Sequence, residues 1–161
     1  MGFSRRTTLL SAATLGLLAI LVPATAMTQD TGEKAIGTRQ GFMKLIVWEA
    51  GPLFGMAKGD VPYDAEAAKM HAANLKTLTS YPFPSLFPSG TSNADYPGKT
   101  AALPKIWEDM GGFEKAFEGL QLAAAGMADA AGNGQEALAG AVGGLGKACG
   151  GCHNPYREKK Q

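Results

Sequence analysis

Cysteine and histidine are scarce in this chain of 161 residues, which has two of each, and charged residues make up only 18% of it. Two cysteines allow at most one disulfide, so the sequence excludes the disulfide-rich scaffolds that hold many small secreted proteins together. Basic and acidic residues nearly balance, at 15 and 14. They form no basic stripe that would indicate nucleic-acid binding, and the length fits one ordinary domain.

A long apolar run occurs only at the N-terminus. Residues 1–26 combine Arg5 and Arg6 with an apolar run that begins at Leu9 and with small residues at the end. The run is shorter than the ~20 apolar residues that a membrane span needs, and the whole pattern is typical of a secretory signal. We therefore predict a cleaved signal peptide over 1–26, a mature domain over 27–161, a periplasmic location and no stable membrane insertion.

Helical periodicity dominates the rest of the sequence, and no stretch shows the strict alternation that is typical of a half-buried strand. Four segments carry apolar residues at steps of three and four, approximately over 33–56, 65–79, 104–131 and 135 onward. The third has the most regular stripe, and its period of about 3.5 favours near-parallel helix packing. We therefore predict an all-α fold, an antiparallel up-down-up-down four-helix bundle with a covalently bound cofactor at the motif described below.

Individual residues define the boundaries and faces of these helices. Asp64 is a good N-cap for the second helix, whereas Gly51-Pro52 should kink or interrupt the first, because proline lacks a backbone donor. The first helix is expected to bury Val47 in its apolar stripe, and Met70 is expected to pack in the interior. The segment 80–102 is rich in proline and glycine, so it should form an unusually long loop that wraps around something.

Both cysteines fall in one short motif, Cys149-Gly150-Gly151-Cys152-His153, near the end of the fourth predicted helix. The C-x-x-C-H pattern is a haem attachment sequence. Residues three and four apart share one face of a helix. Both thiols can therefore add to the two vinyl groups of a haem while His153 reaches the iron. The motif predicts one covalently attached haem c with His153 as an axial iron ligand.

Two other chemistries use similar residues. Thiol oxidoreductases also contain C-x-x-C, but near a βαβ pattern that this sequence does not show. A zinc site needs more ligands than the motif supplies, and His71 is the only other histidine in the chain. His71 is interpreted as an ordinary residue, half-buried or on the surface. Both alternatives stay open, but haem attachment is favoured because the only two cysteines fall in this motif.

The position of the motif on the last helix of a bundle resembles that in cytochrome c′ and its low-spin relatives, the class II c-type cytochromes. Other stretches are similar to this family over essentially the whole mature chain. One departure is Pro155, which should distort the last helix just after the ligand. The similar stretches are RQGFM at 39–43, KGDVPYD at 58–64, FPSGT at 87–91, PKIW at 104–107 and CHNPYR at 152–157.

The resemblance implies roles for residues outside the motif. Arg39 and Gln40 would lie beside the haem, with Arg39 near a propionate, since a guanidinium pairs well with a carboxylate. Asp95 would lie in a loop that touches the haem edge in relatives. The resemblance also implies a homodimer through the first two helices. We expect redox partner proteins as well, which the sequence does not identify.

Met43 decides between two functions. By the resemblance, it faces the iron on the side opposite His153. If its sulfur binds, the iron is six-coordinate and the thioether raises the reduction potential, which suits electron transfer. If it only blocks this position, the iron is five-coordinate and can bind small gases such as nitric oxide or carbon monoxide. We favour electron transfer, keep gas binding as the alternative, and expect no enzymatic activity, since no Arg/His pair for peroxide cleavage is visible.

Overall fold

The computed structural model of the chain describes residues 24–159. In chain order its helices are α1 (Ala24–Lys58), α2 (Ala65–Thr79), α3 (Lys105–Glu108), α4 (Met110–Ala130) and α5 (Gln135–Tyr156), with a 3₁₀ turn over Phe83–Leu86. Most of the predicted signal peptide, residues 1–23, lies outside the described residues, so that assignment stays a prediction. None of the helices in the described part is both long enough and apolar enough to cross a membrane.

The four long helices form a bundle. Helix α1 packs against α2 and α5, and α4 packs against the same two helices. Between residues 24 and 159 the only extended pairing is an isolated antiparallel bridge between Ala102 and Arg157. The predicted all-α, up-down-up-down four-helix bundle is therefore confirmed.

The core runs along the centre of this bundle, where each long helix contributes apolar side chains that solvent does not reach. Burial of large aliphatic side chains is the main favourable term in such a fold. The most deeply buried large side chains are those of Leu53, Leu75, Ile106, Met127, Leu138 and Leu145.

Two side chains expected in the interior are not there. Val47 is 69% exposed and Met70 is 52% exposed. Successive helical residues are separated by about 100°, so the burial of Ile46 turns Val47 away from the core. In the same way Ala68 and Ala72 are buried, and Met70, two residues from each, lies on the opposite face of α2. Both predictions were wrong, because Val47 lies at the edge of the buried stripe of α1 and Met70 lies outside that of α2.

Aspartates begin two of the helices. The predicted N-cap Asp64 accepts the backbone N–H groups of Glu66 and Ala67 at 2.9 and 3.0 Å, a contact worth about 1 kcal/mol. The predicted third helix, in contrast, is divided into α3 and α4 at Asp109, whose φ and ψ are −142° and 56°. The Asp109 carboxylate accepts the N–H of Gly112 at 3.2 Å. The helix divides here because aspartate is unfavourable inside a helix but favourable at the N-cap, where its side chain accepts a backbone N–H of the first turn.

Pro52 does not interrupt α1, which contains it. The ring removes only the donor that would reach the carbonyl of Trp48, on the exposed side of the helix. Leu53 and Met56, one and four residues after Pro52, are only 0% and 3% exposed. We attribute the continuity of α1 to their burial, so of the predicted kink or interruption the interruption is wrong. Pro155 lies within α5, one residue before its end at Tyr156.

Candidate haem site

A cavity of about 1050 Å³ opens between α1, α5 and the segment that leads into α4. This volume is at the upper end of the roughly 300–1,000 Å³ that is usual for ligand and cofactor sites. The structure brings five of the seven site residues predicted from the sequence to its walls. These are Arg39, Gln40 and Met43 from α1, and Cys152 and His153 from α5.

Aromatic side chains form the apolar side of the cavity. The Phe87 ring meets Phe83 edge-on with centroids 5.1 Å apart, and Phe113 at 4.8 Å. Phe113 also meets Tyr156 edge-on at 5.4 Å. Such edge-to-face pairs fix ring positions. The wall is therefore a firm apolar surface that suits a flat, largely apolar macrocycle.

His153 lies in the last turn of α5, and several backbone contacts hold that turn. The N–H of Leu103 donates to the carbonyl of Tyr156 at 3.0 Å, and the N–H of Glu158 donates to Ala101 at 2.8 Å. Burial, and secondly the charge of Arg157, lower the pKa of His153 below 6.5. The imidazole is thus kept neutral near pH 7, which is the form that binds a metal.

The two cysteines are half-buried and are not joined by a disulfide. Burial raises the pKa of both thiols, and that of Cys152 reaches about 11. Reactive cysteines of thiol oxidoreductases have a lowered pKa instead, so the environment here does not fit that chemistry. Residues 149 and 152 are three apart on α5, which gives their side chains a common face. Cys149 does not itself line the cavity, although it packs against the core.

The described residues offer little to a zinc site. Within the part of the chain that the structure covers, no group of three or more His, Cys, Asp or Glu side chains comes together. His71 lines the cavity but bonds through Nδ1 to Glu49 Oε2 at 2.8 Å. The half-buried position expected for His71 is therefore confirmed. Its contact with Glu49 joins residues 22 positions apart, and no local signal in the sequence indicates it.

Arg39 is the most unusual side chain at the site, because it is charged and only 3% exposed. It donates to Thr91 Oγ1 at 2.8 Å, to the Thr91 carbonyl, and to Thr100 Oγ1 at 3.0 Å. Its guanidinium carbon lies 4.5 Å from the Phe87 ring centroid, and burial lowers its pKa to about 10. Every one of these partners is neutral.

The surroundings of Arg39 test whether haem fits the cavity. No carboxylate among the described residues forms an ion pair with Arg39, although a buried charge is costly unless it is paired. A haem propionate is a carboxylate and would supply the opposite charge at this wall. Together with a neutral histidine, two thiols on one helix face and an aromatic wall, the donor set fits haem.

The other two predicted residues have different surroundings. Gln40 lines the cavity and donates to the carbonyl of Lys99 at 2.7 Å. Asp95 is exposed and outside the cavity wall, where it accepts the N–H and the hydroxyl of Ser92 at 2.9 and 2.6 Å. These two hydrogen bonds lower the pKa of Asp95. They give the carboxylate a role in holding the loop, and its contact with the haem edge stays a prediction.

Comparison with known proteins gives consistent matches. The family model described as Cytochrome C′ matches residues 34–157. A cytochrome c′ of Cereibacter sphaeroides is 44% identical over 91% of this chain and 97% of its own length. A cytochrome c-554 of the same organism is 44% identical over 90% of this chain and 95% of its own.

Solved structures agree with these matches. A cytochrome c′ from a Rhodobacter species superposes with a TM-score of 0.77 at 45% identity, over 80% of this chain and 98% of that one. A nitric oxide complex of a cytochrome c prime variant from Alcaligenes xylosoxidans superposes with a TM-score of 0.69 at 31% identity, over 80% of this chain and 97% of that one.

Proposed function

The chain belongs to the cytochrome c′ family, whose members carry covalently bound haem c, and from that premise we propose that it is a periplasmic electron carrier in which His153 and Met43 are the two axial iron ligands. It is a haem protein of the cytochrome type and not an enzyme. The observation that carries the proposal is that Met43 from α1 and His153 from α5 line the same cavity. A bound haem supplies an iron that cycles between ferric and ferrous states, at a potential that a thioether ligand raises.

Different residues of the chain hold different parts of the haem. Cys149 and Cys152 attach it, and His153 presents a neutral ring nitrogen to the iron. Arg39, whose hydrogen-bond partners are neutral, pairs with a propionate. Met43 is half-buried and packs against the core, so its sulfur is held in place without a large loss of side-chain freedom on binding.

A comparison of Met43→Leu with Met127→Leu tests this assignment. Both changes replace a thioether by a side chain of similar volume, but Met127 is 0% exposed and does not line the cavity. We expect the purified Met43→Leu holoprotein to lose its low-spin spectrum and to bind carbon monoxide, and Met127→Leu to resemble the wild type. Identical spectra for the wild type and Met43→Leu would show that the sulfur does not bind iron.

The second candidate function is binding of a small gas, such as nitric oxide or carbon monoxide, by a five-coordinate haem. Two observations favour it. The cavity wall that includes Phe83, Phe87 and Ile106 is apolar, and a solved relative is a nitric oxide complex. Polarity and access at the free iron position decide whether such ligands bind. In this case Met43 would only fill space beside the iron.

We also propose that the protein exchanges electrons with redox partner proteins and that it forms a homodimer through α1 and α2. Leu45, Val47 and Trp48 support a contact on α1, since they are 51%, 69% and 73% exposed. Adjacent exposed apolar side chains of this size mark interaction surfaces more often than isolated ones do. Sedimentation of the holoprotein at increasing concentration tests the dimer, and a monomer throughout would contradict it.

A further inference from the structure

Tyr156, which follows His153 by three residues on α5, has an unusual set of contacts. It is 6% exposed and lines the cavity. Its hydroxyl donates to Asp109 Oδ2 at 2.9 Å, and its backbone carbonyl accepts the N–H of Leu103. The ring is also fixed edge-on against Phe113. One residue therefore connects the turn that carries the iron-binding histidine to the start of α4.

Asp109 takes part in this connection through both carboxylate oxygens. Oδ1 accepts the N–H of Gly112, in the first turn of α4, and Oδ2 accepts a hydrogen bond from the phenol of Tyr156. Lys105 Nζ is 3.9 Å from Oδ2. The hydrogen bond from Tyr156 is the main cause of the lowered pKa of Asp109. The carboxylate thus stays ionised near pH 7, one hydrogen bond away from a side chain of the cavity wall.

Gly112 shows that this contact constrains the sequence. A Cβ atom at residue 112 would lie 2.5 Å from Asp109 Oδ2 and 2.5 Å from the hydroxyl oxygen of Tyr156. Non-bonded carbon and oxygen atoms do not approach so closely, so any side chain there would push the two groups apart. The contact between Asp109 and Tyr156 therefore requires a residue without a side chain at position 112.

We propose that Asp109 and Tyr156 are positioning residues for His153, and that the Asp109 carboxylate also lowers the reduction potential of the haem. The proposal rests on the proposed role of His153 as an iron ligand. The hydrogen bond fixes the last turn of α5 to α4 and so fixes the direction of the imidazole. A negative charge near the iron favours the more positive ferric state over the ferrous state. The Asp109 side chain is 43% exposed and Lys105 Nζ lies 3.9 Å from it, so solvent and this cation screen part of the effect.

The chain offers a matched control for each group. Asp64 is also an aspartate that caps a helix, and it does not line the cavity. Tyr63 is also a tyrosine whose hydroxyl joins two parts of the fold, donating to Ala131 at 2.9 Å and accepting from Gly134 at 3.0 Å. Asp64→Asn and Tyr63→Phe therefore make the same chemical changes as Asp109→Asn and Tyr156→Phe, but away from the haem.

The experiment is a redox titration of these four holoproteins and of the double variant Asp109→Asn/Tyr156→Phe, with thermal unfolding measured in parallel. At a fixed ambient potential we expect Asp109→Asn to raise the ferrous-to-ferric ratio severalfold and Tyr156→Phe to change the haem absorption bands. In the double variant the spectral change and the loss of stability should be less than the sum of the single effects, because both substitutions weaken one contact, whereas the ferrous-to-ferric ratio should match that of Asp109→Asn. Gly112→Ala should reproduce the spectral change of Tyr156→Phe. The controls should lose stability without a change in ratio or spectrum.

Failure of this proposal differs from failure of the proposed function. If Asp109→Asn and Tyr156→Phe lose stability as the controls do, with wild-type potential and bands, their contact is only structural and the proposal is overturned. Additive spectral changes in the double variant would also overturn it, because the two groups would then position His153 separately. If the wild-type holoprotein itself shows no histidine-ligated haem, the proposed function fails first, whatever the variants do.

Discussion

Helices α5 and α1 contribute chemically different groups to the two walls of the cavity. The α5 wall presents Cys152 and His153, whose burial favours their neutral forms and which, in the proposed function, bond to the haem and its iron. The α1 wall presents the buried cation of Arg39 and the thioether of Met43. Under the proposed function, α5 therefore attaches the haem, whereas α1 sets its charge balance and controls which ligands reach the iron.

The largest expected effect comes from breaking the α5 wall. Cys149→Ala with Cys152→Ala removes both sites of covalent attachment. We expect complete loss of covalent haem, measured as the mass of the denatured protein after expression with a working cytochrome maturation system. Each single variant should retain one thioether bond and therefore some covalent haem. Covalent haem in the double variant would contradict the assignment of the motif.

An intermediate effect is expected at the α1 wall. Arg39→Leu leaves Thr91 and Thr100 without their charged donor, and hydrogen bonds to charged groups are worth about 1.5–3 kcal/mol. We expect the free energy of unfolding to fall by about 2–3 kcal/mol and the reduction potential to fall, because a positive charge near the iron is lost. Urea unfolding and redox titration measure the two changes.

Two variants control the Arg39 experiment. Arg39→Lys keeps the charge but cannot form the same fork of hydrogen bonds, so it should recover most of the potential and less of the stability. Lys44→Leu removes an exposed cation from the same wall, where solvent screens the charge. Equal shifts in potential for Arg39→Leu and Lys44→Leu would contradict a special role for the buried guanidinium.

The smallest expected effect concerns Asp95, outside both walls. Hydrogen bonds from Ser92 lower its pKa below 3.8 in the folded chain. The group therefore contributes stability above about pH 4, and this contribution is lost as the pH falls through the folded pKa. We expect Asp95→Asn to flatten the acid limb of a stability–pH curve slightly, with unchanged haem bands at pH 7. Altered bands would instead place Asp95 at the haem edge.

The difference between the walls also explains what the sequence could predict. The cysteines and the histidine of α5 belong to a local motif of five residues, and the regular apolar stripes of the long helices predict the bundle. The surroundings of Arg39 depend on Thr91 and Thr100, which are 52 and 61 positions away, so no periodicity reveals them. The contact of Asp109 with Tyr156, 47 positions later, is equally invisible to periodicity.

Errors at the surface have a simpler origin. Val47 and Met70 are apolar, which favours the interior, yet both are exposed. The rotation of α1 and α2 agrees with the predicted stripes, since Ile46 and Leu75 are buried. An apolar side chain at the edge of a stripe or outside it is not buried by its type alone. Asp95 differs again, since its hydrogen bonds with Ser92 are local and follow the reciprocal pattern of an S-x-x-D capping box.

The most direct test of the central claim, that Met43 and His153 both bind the iron, is the optical spectrum of the wild-type holoprotein. It should be recorded in the ferric and ferrous states, with and without carbon monoxide. We predict sharp ferrous α and β bands, a weak ferric band from the sulfur-to-iron transition, and no response to carbon monoxide. Broad high-spin bands that shift when carbon monoxide is added would contradict the claim and establish an open iron position beside Met43.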